Sequence, residues 1–172
     1  IMKVDTSHEV VSSEPSINIR DQPEDFRLPM FIAMDRPKHD QQRKVVNPVV
    51  GADNLRNFES IIRERTIEVL EGLPLGEEFD WVEKVSIELT TRMLAILFDF
   101  PFEDRSLLTK WSDFATSMPD PETGNTQEAR RDVMGECLTY FTKLWNERVN
   151  EPPKGDFISM MIHGEATKDM SP

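Results

Sequence analysis

The stretch that decides the fold is Met34–Val50, which reads MDRPKHDQQRKVVNPVV. Asp35 is a favourable N-cap residue for a helix beginning there. Pro37 falls in the first turn, where the missing backbone N–H of proline costs nothing. Because Pro48 bends or ends a helix near its own position, the stretch predicts one helix over 35–50.

The same helix carries a histidine and an arginine, His39 and Arg43, one turn apart on one face. Two donors stacked in this way suit an anionic ligand that presents carboxylates or phosphates. A histidine and an arginine at this spacing also occur on solvated helix faces, and a neighbouring carboxylate can hold the histidine. The spacing alone therefore leaves a ligand role and a surface role open.

The composition describes an acidic chain of 172 residues, a length that suits one domain or part of a larger one. Asp and Glu number 32 against 20 Lys and Arg, which gives a formal charge of −12. This balance argues against a broad nucleic-acid-binding surface. Lys38, Arg43 and Lys44 remain as a local basic patch on the acidic body.

Cysteine content and apolar run length bound the setting of the protein. Cys137 is the only cysteine, which excludes an internal disulfide and a cysteine-rich zinc site, and fits a reducing, cytoplasmic setting. The longest apolar run, Met93–Phe98, is too short to span a bilayer. The first ten residues lack the pattern of a signal peptide and resemble the middle of a helix. We therefore expect the chain to begin inside a domain.

Apolar residues at helical spacing recur along most of the chain and predict an all-α fold. The expected helices, separated by Pro- and Gly-containing breaks, cover residues 2–11, 35–50, 54–73, 81–98, 105–118, 126–150 and 157–163. Asp80, Asp104, Asn125 and Asp156 are the expected N-caps of the last four helices. The helix over 81–98 is apolar on more than one side, which is typical of a central helix.

Residues 15–34 predict an irregular loop whose apolar tail, Leu28–Met34, directly precedes the helix of His39. Apolar loop residues without a periodic pattern either plug a core or line a pocket. The residues alone favour the plug and do not exclude the pocket.

The sequence lacks the motifs that would name a reaction. HExxH, CxxC, GxGxxG and GxxxxGK[ST] strings do not occur. His8, His39 and His163 are far apart and have no spacing typical of a metal site. Cys137 lies among apolar residues without a basic neighbour, so we interpret it as a small buried hydrophobe. Glu88 and Arg92 form an i,i+4 pair that is expected to stabilise its helix.

Several segments, taken together, resemble the cytochrome P-450 family of haem-thiolate monooxygenases. MDRPKHDQQRK is similar to the start of the family's C helix, typically Met-Asp-Pro-Pro-x-His-x-x-x-Arg. FDFPFEDRSLLTKWSD and LWNERVNEPPKGDFISMM resemble further family segments, and the helix order corresponds to helices B to H. LPMFIAMD, SIELTTRMLA, LFDFPFEDR and LWNERVN are closer still to the bacterial alkane terminal-hydroxylase subfamily, which acts on medium-chain alkanes and fatty acids.

The resemblance implies a haem cofactor and assigns roles to residues. His39 and Arg43 match the family positions that donate to the haem propionates. Residues 15–34 correspond to the B–C substrate loop, and residues 105–150 correspond to the F–G lid region. Lys38 and Lys44 are implied to lie on the face that meets a ferredoxin. The substrate-binding residues implied in this way are Leu28, Met30, Phe31, Ile32, Ala33, Phe114 and Met118.

The chain also departs from the family pattern. Arg36 stands where the family usually has proline. The sequence stops before the family's I helix and before the loop whose cysteine ligates the iron, and Cys137 lies in the G-like helix. We therefore expect residues 1–172 to be a partial domain, truncated at both ends, with no catalytic residue or metal ligand of its own. Its haem would be ligated by a cysteine outside this chain, and the chain alone would be inactive.

The implied activity is hydroxylation of medium-chain alkanes or fatty acids at the terminal carbon, with O2 and electrons delivered by ferredoxin reductase and ferredoxin. A terpene or steroid substrate stays open, because substrate shape is poorly encoded in sequence. A cofactor-free helical binding module is a third interpretation. That module would explain the amphipathic helices but not the apolar loop placed before a His/Arg helix.

Overall fold

The structure is a computed structural model that describes residues 7, 9–14, 30–118, 120, 122 and 124–170. Over these residues the fold is helical, and the predicted all-α class is confirmed. The α-helices are α1 (Lys38–Val46), α2 (Ala52–Glu71), α3 (Glu88–Phe98), α4 (Ser106–Thr116), α5 (Gln127–Arg148) and α6 (Phe157–His163). Short 3-10 turns cover Phe31–Ala33, Asn47–Val50 and Phe102–Asp104, and a π-helical turn, Val82–Ile87, leads into α3.

Helix α1 is shorter than the helix predicted over 35–50. It ends at Val46, and Pro48 lies at the start of the 3-10 turn that follows, as the missing N–H of proline requires. Asp35 is not its N-cap. The Asp35 carboxylate instead accepts hydrogen bonds from Ser12 Oγ at 2.5 Å and from Ser13 N at 3.3 Å. The sequence pattern predicted that Asp35 caps the helix, but its side chain makes a tertiary contact instead.

Two of the predicted N-caps are confirmed by their hydrogen bonds. The backbone N–H of Glu83 donates to Asp80 Oδ1 at 3.0 Å, at the start of the helical segment that contains α3. The N–H of Ser159 donates to Asp156 Oδ1 at 2.9 Å, at the start of α6. Each carboxylate satisfies one N–H that a helix start leaves unpaired.

The other two predicted N-caps are wrong. Thr126, not Asn125, caps α5, since Thr126 Oγ1 accepts from the N–H of Ala129 at 3.1 Å. The Asp104 carboxylate does not cap α4, and its Oδ2 accepts instead from the hydroxyl of Tyr140 at 2.5 Å. In the second case, a partner from another part of the chain decided the outcome.

The helix predicted over 2–11 lies mostly outside the described residues. In the described part, the N–H groups of Val10 and Val11 both donate to the carbonyl oxygen of Ser7 at 3.0 Å, which closes one turn. Residues 11–14 form no helix.

The buried core lies where α3, α4, α5 and α6 meet. Its centre is aromatic: the Phe100 ring lies 4.9 Å from that of Tyr140 and 6.1 Å from that of Trp111, centroid to centroid. Burying each such side chain contributes on the order of 2–3 kcal/mol. The fully buried members are Ala95, Phe100, Trp111, Leu144, Ile158 and Ile162. The helix that the sequence marked as central, α3, packs against α2, α4 and α6.

The junction between α3 and α4 is fixed by an arginine from α5. Asp99 ends α3 in the left-handed conformation, with a φ angle of 47°, which aspartate tolerates better than most residues. Arg148 donates to the carbonyl oxygen of Phe98 at 3.1 Å and also to that of Asp99. A cation at a helix C-terminus complements the exposed carbonyls and the helix dipole. This contact holds the end of α3 against α5.

Helix α1 packs closely against the C-terminal end of α6. A Cβ atom at Gly164 would lie 2.4 Å from Val45 Cγ1 and 2.8 Å from the carbonyl oxygen of Met160, so only glycine fits there. The turn after α1 is anchored by Asn54, whose amide donates to the carbonyl oxygen of Val49 at 2.8 Å. In the part of the chain that the structure describes, no helix combines the length and apolarity needed to cross a membrane.

Replacing Gly164 tests this close approach. Gly164→Ala should lower the free energy of unfolding by about 1–3 kcal/mol, because the added methyl group overpacks the contact between α1 and α6. Urea unfolding measures the change. The control is Gly135→Ala in α5, where a Cβ meets nothing within 4 Å. That substitution should stabilise the protein by up to about 1 kcal/mol through helix propensity. Equal effects of the two substitutions would contradict the contact.

The phenol of Tyr140 is much less acidic in the folded protein than a free tyrosine, so its pKa is raised. Burial, assisted by the hydrogen bond to Asp104, raises the pKa of Tyr140 from about 10 to about 12. A pKa raised on folding means that the neutral phenol stabilises the fold below pH 10, and that this contribution is lost as the pH rises towards 12.

The phenolate absorbance of Tyr140, taken as the difference between the wild type and Tyr140→Phe, should therefore titrate with a midpoint about two pH units above that of the unfolded chain. Asp104→Asn should lower the midpoint, since it removes the negative charge beside the phenol. A native midpoint equal to that of the unfolded chain would show that the Tyr140–Asp104 contact is absent.

Candidate functional site

The His39/Arg43 face of α1 is the centre of the candidate site. The Arg43 side chain is exposed and has no hydrogen-bond or ion-pair partner within the described residues. His39 is half-buried, and its Nδ1 lies 2.9 Å from Asp40 Oδ1. The carboxylate-held histidine, which the sequence left open as one alternative, therefore occurs on this helix.

The contact with Asp40 restricts what His39 can do. With Nδ1–H donating to Asp40, the opposite nitrogen, Nε2, donates to a second carboxylate only when the ring is doubly protonated. Asp40 also pairs with Arg36 at 3.2 Å, so its charge is shared between two partners. The Phe31 ring lies 6.0 Å from the His39 ring and limits its position on the other side. The His39 ring is therefore bound by Asp40, whereas the Arg43 guanidinium has no partner within the described residues.

The apolar segment before α1 divides into a buried part and an exposed part. Ala33 and Met34 are buried, which agrees with a plug. Met30, Phe31 and Ile32 are 43%, 37% and 57% exposed and form an apolar surface that packs beside α1. Exposed apolar side chains next to a histidine and an exposed arginine are the arrangement expected where an apolar body and its charged groups bind together. Leu28 lies outside the described residues.

The two remaining substrate candidates lie on a different element. Phe114 is half-buried in the last turn of α4, and Met118, just beyond it, is 68% exposed. Helix α4 packs against α3 and α5, whereas the Phe31–Ala33 turn packs against α1. The structure therefore places the candidate substrate residues in two separate groups.

Two lysines complete the exposed surface of α1. Lys38 begins the helix and Lys44 lies in its last turn, and both are exposed. Together with Arg43 they give this helix a positive surface on a chain of net charge −12. A local positive region of this kind attracts an acidic partner.

The sequence predicted only one of the contacts in a cluster of charged side chains. The predicted Glu88–Arg92 pair is present, with Arg92 Nε 2.8 Å from Glu88 Oε1. Glu88 also accepts from Arg105 at 2.6 Å, and Arg92 donates to Glu68 at 2.6 Å. The i,i+4 spacing predicts only the first of these contacts, because the other two join different helices.

The acidity of these glutamates follows from their arginine partners. Burial opposes ionisation of Glu88, but hydrogen bonds from Arg105 and Arg92 outweigh it and hold the pKa of Glu88 below its ordinary value. The hydrogen bond from Arg65 lowers the pKa of Glu68 in the same way. Both carboxylates are therefore charged members of a structural network, not proton donors.

The other chemically active side chains offer no alternative centre. Burial raises the pKa of the Cys137 thiol, which agrees with its interpretation as a hydrophobe. Among the described residues, no group of three or more His, Cys, Asp or Glu side chains could hold a metal ion. A cleft of about 480 Å³ lies between α3 and α4 and includes Glu88, Thr91 and Arg105 in its lining. It contains none of the sequence-predicted site residues.

The residues of the His39/Arg43 face match the charge and the apolar surface of a haem. Haem carries two propionate carboxylates at one edge of a flat apolar ring. Arg43 supplies an unpaired guanidinium for such a carboxylate, and His39 is a second donor one turn away. The exposed Met30, Phe31 and Ile32 supply apolar surface beside these donors.

The sequence is similar to those of known monooxygenases and cytochromes P-450. Over 135 residues the chain is 31% identical to linalool 8-monooxygenase of Pseudomonas putida, an alignment that covers 78% of this chain and 33% of that protein. It is 27% identical over 141 residues to steroid C26-monooxygenase of Mycolicibacterium smegmatis, covering 82% and 32% of the two chains. The chain thus spans about a third of the length of the curated relatives it matches. No protein-family model matches it.

Solved structures agree with the sequence relatives. The cytochrome P-450-153 of Novosphingobium aromaticivorans is 47% identical, with a TM-score of 0.72, over 90% of this chain and 38% of the other. CYP153D17 of Sphingomonas sp. PAMC 26605 is 48% identical, with a TM-score of 0.75 over the same shares. These similarities agree with the C-helix string and the helix order, and the chain belongs to the cytochrome P-450 family.

Proposed function

We propose that this chain is the substrate-loop, propionate-binding and lid part of a cytoplasmic haem-thiolate monooxygenase that hydroxylates medium-chain alkanes or fatty acids at the terminal carbon. The observation that carries the proposal is the Arg43 guanidinium, which is exposed and unpaired within the described residues, one turn from His39 and beside an exposed apolar turn. Family membership supports it, whereas a cofactor-free helical module would leave both features without a role.

In this proposal the residues of α1 bind and orient the cofactor. Arg43 donates to one propionate, and His39, held by Asp40 at 2.9 Å, donates from Nε2 to the other. The haem, ligated by a cysteine outside this chain, supplies the O2-dependent oxidation when bound. Cys137 is unsuited to that ligand role because it is half-buried in α5 and its pKa is raised.

The substrate class follows from the chemistry of the proposed lining. An alkane offers no hydrogen-bonding group, so only shape and apolar burial can hold it. Met30, Phe31 and Ile32 provide such a surface, whereas Ala33 is buried and Leu28 lies outside the described residues. Phe114 and Met118 would close the pocket from α4. The similarity to the two 153-type structures supports the linear substrate, as does the sequence resemblance to the alkane-hydroxylating subfamily.

Electrons would arrive from ferredoxin reductase through a ferredoxin. Lys38 and Lys44 are exposed on α1, the helix that also carries the proposed propionate donors. Ferredoxins of the acidic type would be steered to such a positive surface, and steering of this kind weakens as salt rises.

A second substrate class is favoured by the curated relatives. Linalool 8-monooxygenase and steroid C26-monooxygenase are named for a terpene alcohol and a steroid. Both are larger or more branched than a linear alkane, and both remain compatible with an apolar lining. The alternative is therefore a cytochrome P-450 acting on a terpene or steroid.

Haem retention tests the propionate donors. In the complete protein, Arg43→Ala and His39→Ala should each lower the haem bound per protein, because each removes a charge-assisted hydrogen bond of about 1.5–3 kcal/mol. The pyridine-haemochrome absorbance after gel filtration measures the haem content. Lys44→Ala, a cation lost from the same helix, is the control and should keep the wild-type haem content. Unchanged haem in both Arg43→Ala and His39→Ala would contradict the propionate role.

A substrate titration separates the two substrate classes. In the haem-bound protein, decane and a medium-chain fatty acid should shift the Soret band to shorter wavelength, whereas linalool and a steroid should give weaker shifts. A strong response to linalool or the steroid alone would reverse the assignment. No response to any linear chain would remove the alkane proposal.

A further inference from the structure

One end of the α2/α3 pair exposes large apolar side chains. Helix α2 packs against both α3 and the π-helical turn before it, so the connecting segment, residues 72–81, lies at one end of the pair. Leu75 in this segment is 95% exposed. Trp81 and Val82, where the π-helical turn begins, are 56% and 59% exposed, and Leu70 in the last turn of α2 is also exposed.

An aromatic pair gives this region a rigid centre. The half-buried Phe79 ring stacks on the Trp81 ring, with centroids 6.2 Å apart. A tryptophan supported in this way offers a large apolar face and loses little side-chain entropy on binding. Tryptophan is also among the residues that most often carry the binding energy of a protein interface. We call Leu70, Leu75, Phe79, Trp81 and Val82 the Trp81 surface.

Carboxylates border the Trp81 surface. Residues 71–84 contain one basic side chain, Lys84, and five acidic side chains, all of them exposed: Glu71, Glu77, Glu78, Asp80 and Glu83. The Lys84 ammonium lies 3.3 Å from the Glu83 carboxylate. Glu77 and Glu78 have no hydrogen-bond or ion-pair partner within the described residues. The border of this apolar surface is therefore strongly negative.

The charge of the border decides which occupant fits. It repels an anionic membrane surface, and it repels an acidic ferredoxin in the same way. A protein surface that presents an apolar side chain between lysines or arginines matches both the apolar centre and the negative border. The positive surface of α1 has the opposite preference, so the two surfaces select partners of opposite charge.

We propose that the Trp81 surface is a docking site for a partner protein whose contact segment is both apolar and basic. Leu75 and Trp81 anchor this partner by apolar burial. Glu77 and Glu78 attract its lysines or arginines and disfavour acidic competitors. The inference rests on the exposure and charge of residues 70–84 and is independent of the substrate class proposed above.

Binding of a model partner to the complete haem-bound protein tests the proposal. The probe is a fluorescent amphipathic peptide of leucine and lysine, and fluorescence anisotropy measures its affinity. Leu75→Ser and Trp81→Ser should each weaken binding by about tenfold, because each removes an apolar anchor. Leu75 is almost fully exposed, so its replacement leaves the fold intact. The matched control is Leu138→Ser, at a leucine 57% exposed on α5, which should keep the wild-type affinity.

The negative border has a test of its own. Glu77→Lys should weaken binding of the same peptide several-fold, and added salt should reduce the difference from the wild type, because salt screens the attraction. Glu147→Lys makes the same change of charge at an exposed position of α5 and should have a much smaller effect. A peptide with glutamate in place of every lysine should not bind.

Two results would overturn the docking site. Unchanged affinity in both Leu75→Ser and Trp81→Ser would mean that the peptide binds elsewhere, or that another part of the complete protein covers the Trp81 surface. Equal losses in these variants and in Leu138→Ser would mean that the peptide adheres to exposed apolar side chains without a site. Neither result bears on the monooxygenase proposal, because haem content and the Soret shift are measured separately.

Discussion

The burial of Phe100 is the constraint on which the other helices depend. Its ring contacts Trp111 of α4 and Tyr140 of α5, with Phe141 5.8 Å away, so α4 and α5 share one aromatic centre with the segment that follows α3. Because interiors are packed as densely as organic crystals, the position of this ring fixes the angle at which α3 passes into α4. Arg148 then satisfies the carbonyl groups that the end of α3 leaves unpaired.

The candidate site depends on a second contact, far from that aromatic centre. Gly164 allows Val45 to lie where a side chain would otherwise be, so α1 docks closely on α6. On the docked helix His39 is half-buried, whereas the Arg43 side chain is exposed and has no partner within the described residues. An exposed cation beside exposed apolar side chains is the arrangement on which the proposal of a ligand that is both anionic and apolar rests.

Charge is used differently in the two halves of the chain. Around α1 the cations are exposed and face solvent, which suits recognition of a cofactor or a partner. Around Phe102 the cations are partly buried and matched by Glu68 and Glu88, which suits stiffness. The acidic composition alone does not distinguish these uses, because both depend on which residues the fold brings together.

The sequence by itself determined the all-α class, the break at Pro48 and the His39/Arg43 pair, because helical spacing and proline chemistry act over a few residues. It also determined family membership, through ordered strings along the chain. Only the tertiary structure decided that Asp35 binds the Ser12–Ser13 segment and Asp104 binds Tyr140, rather than each capping its own helix. Those carboxylates had partners close in space but distant in sequence, and a local pattern contains no information about such partners.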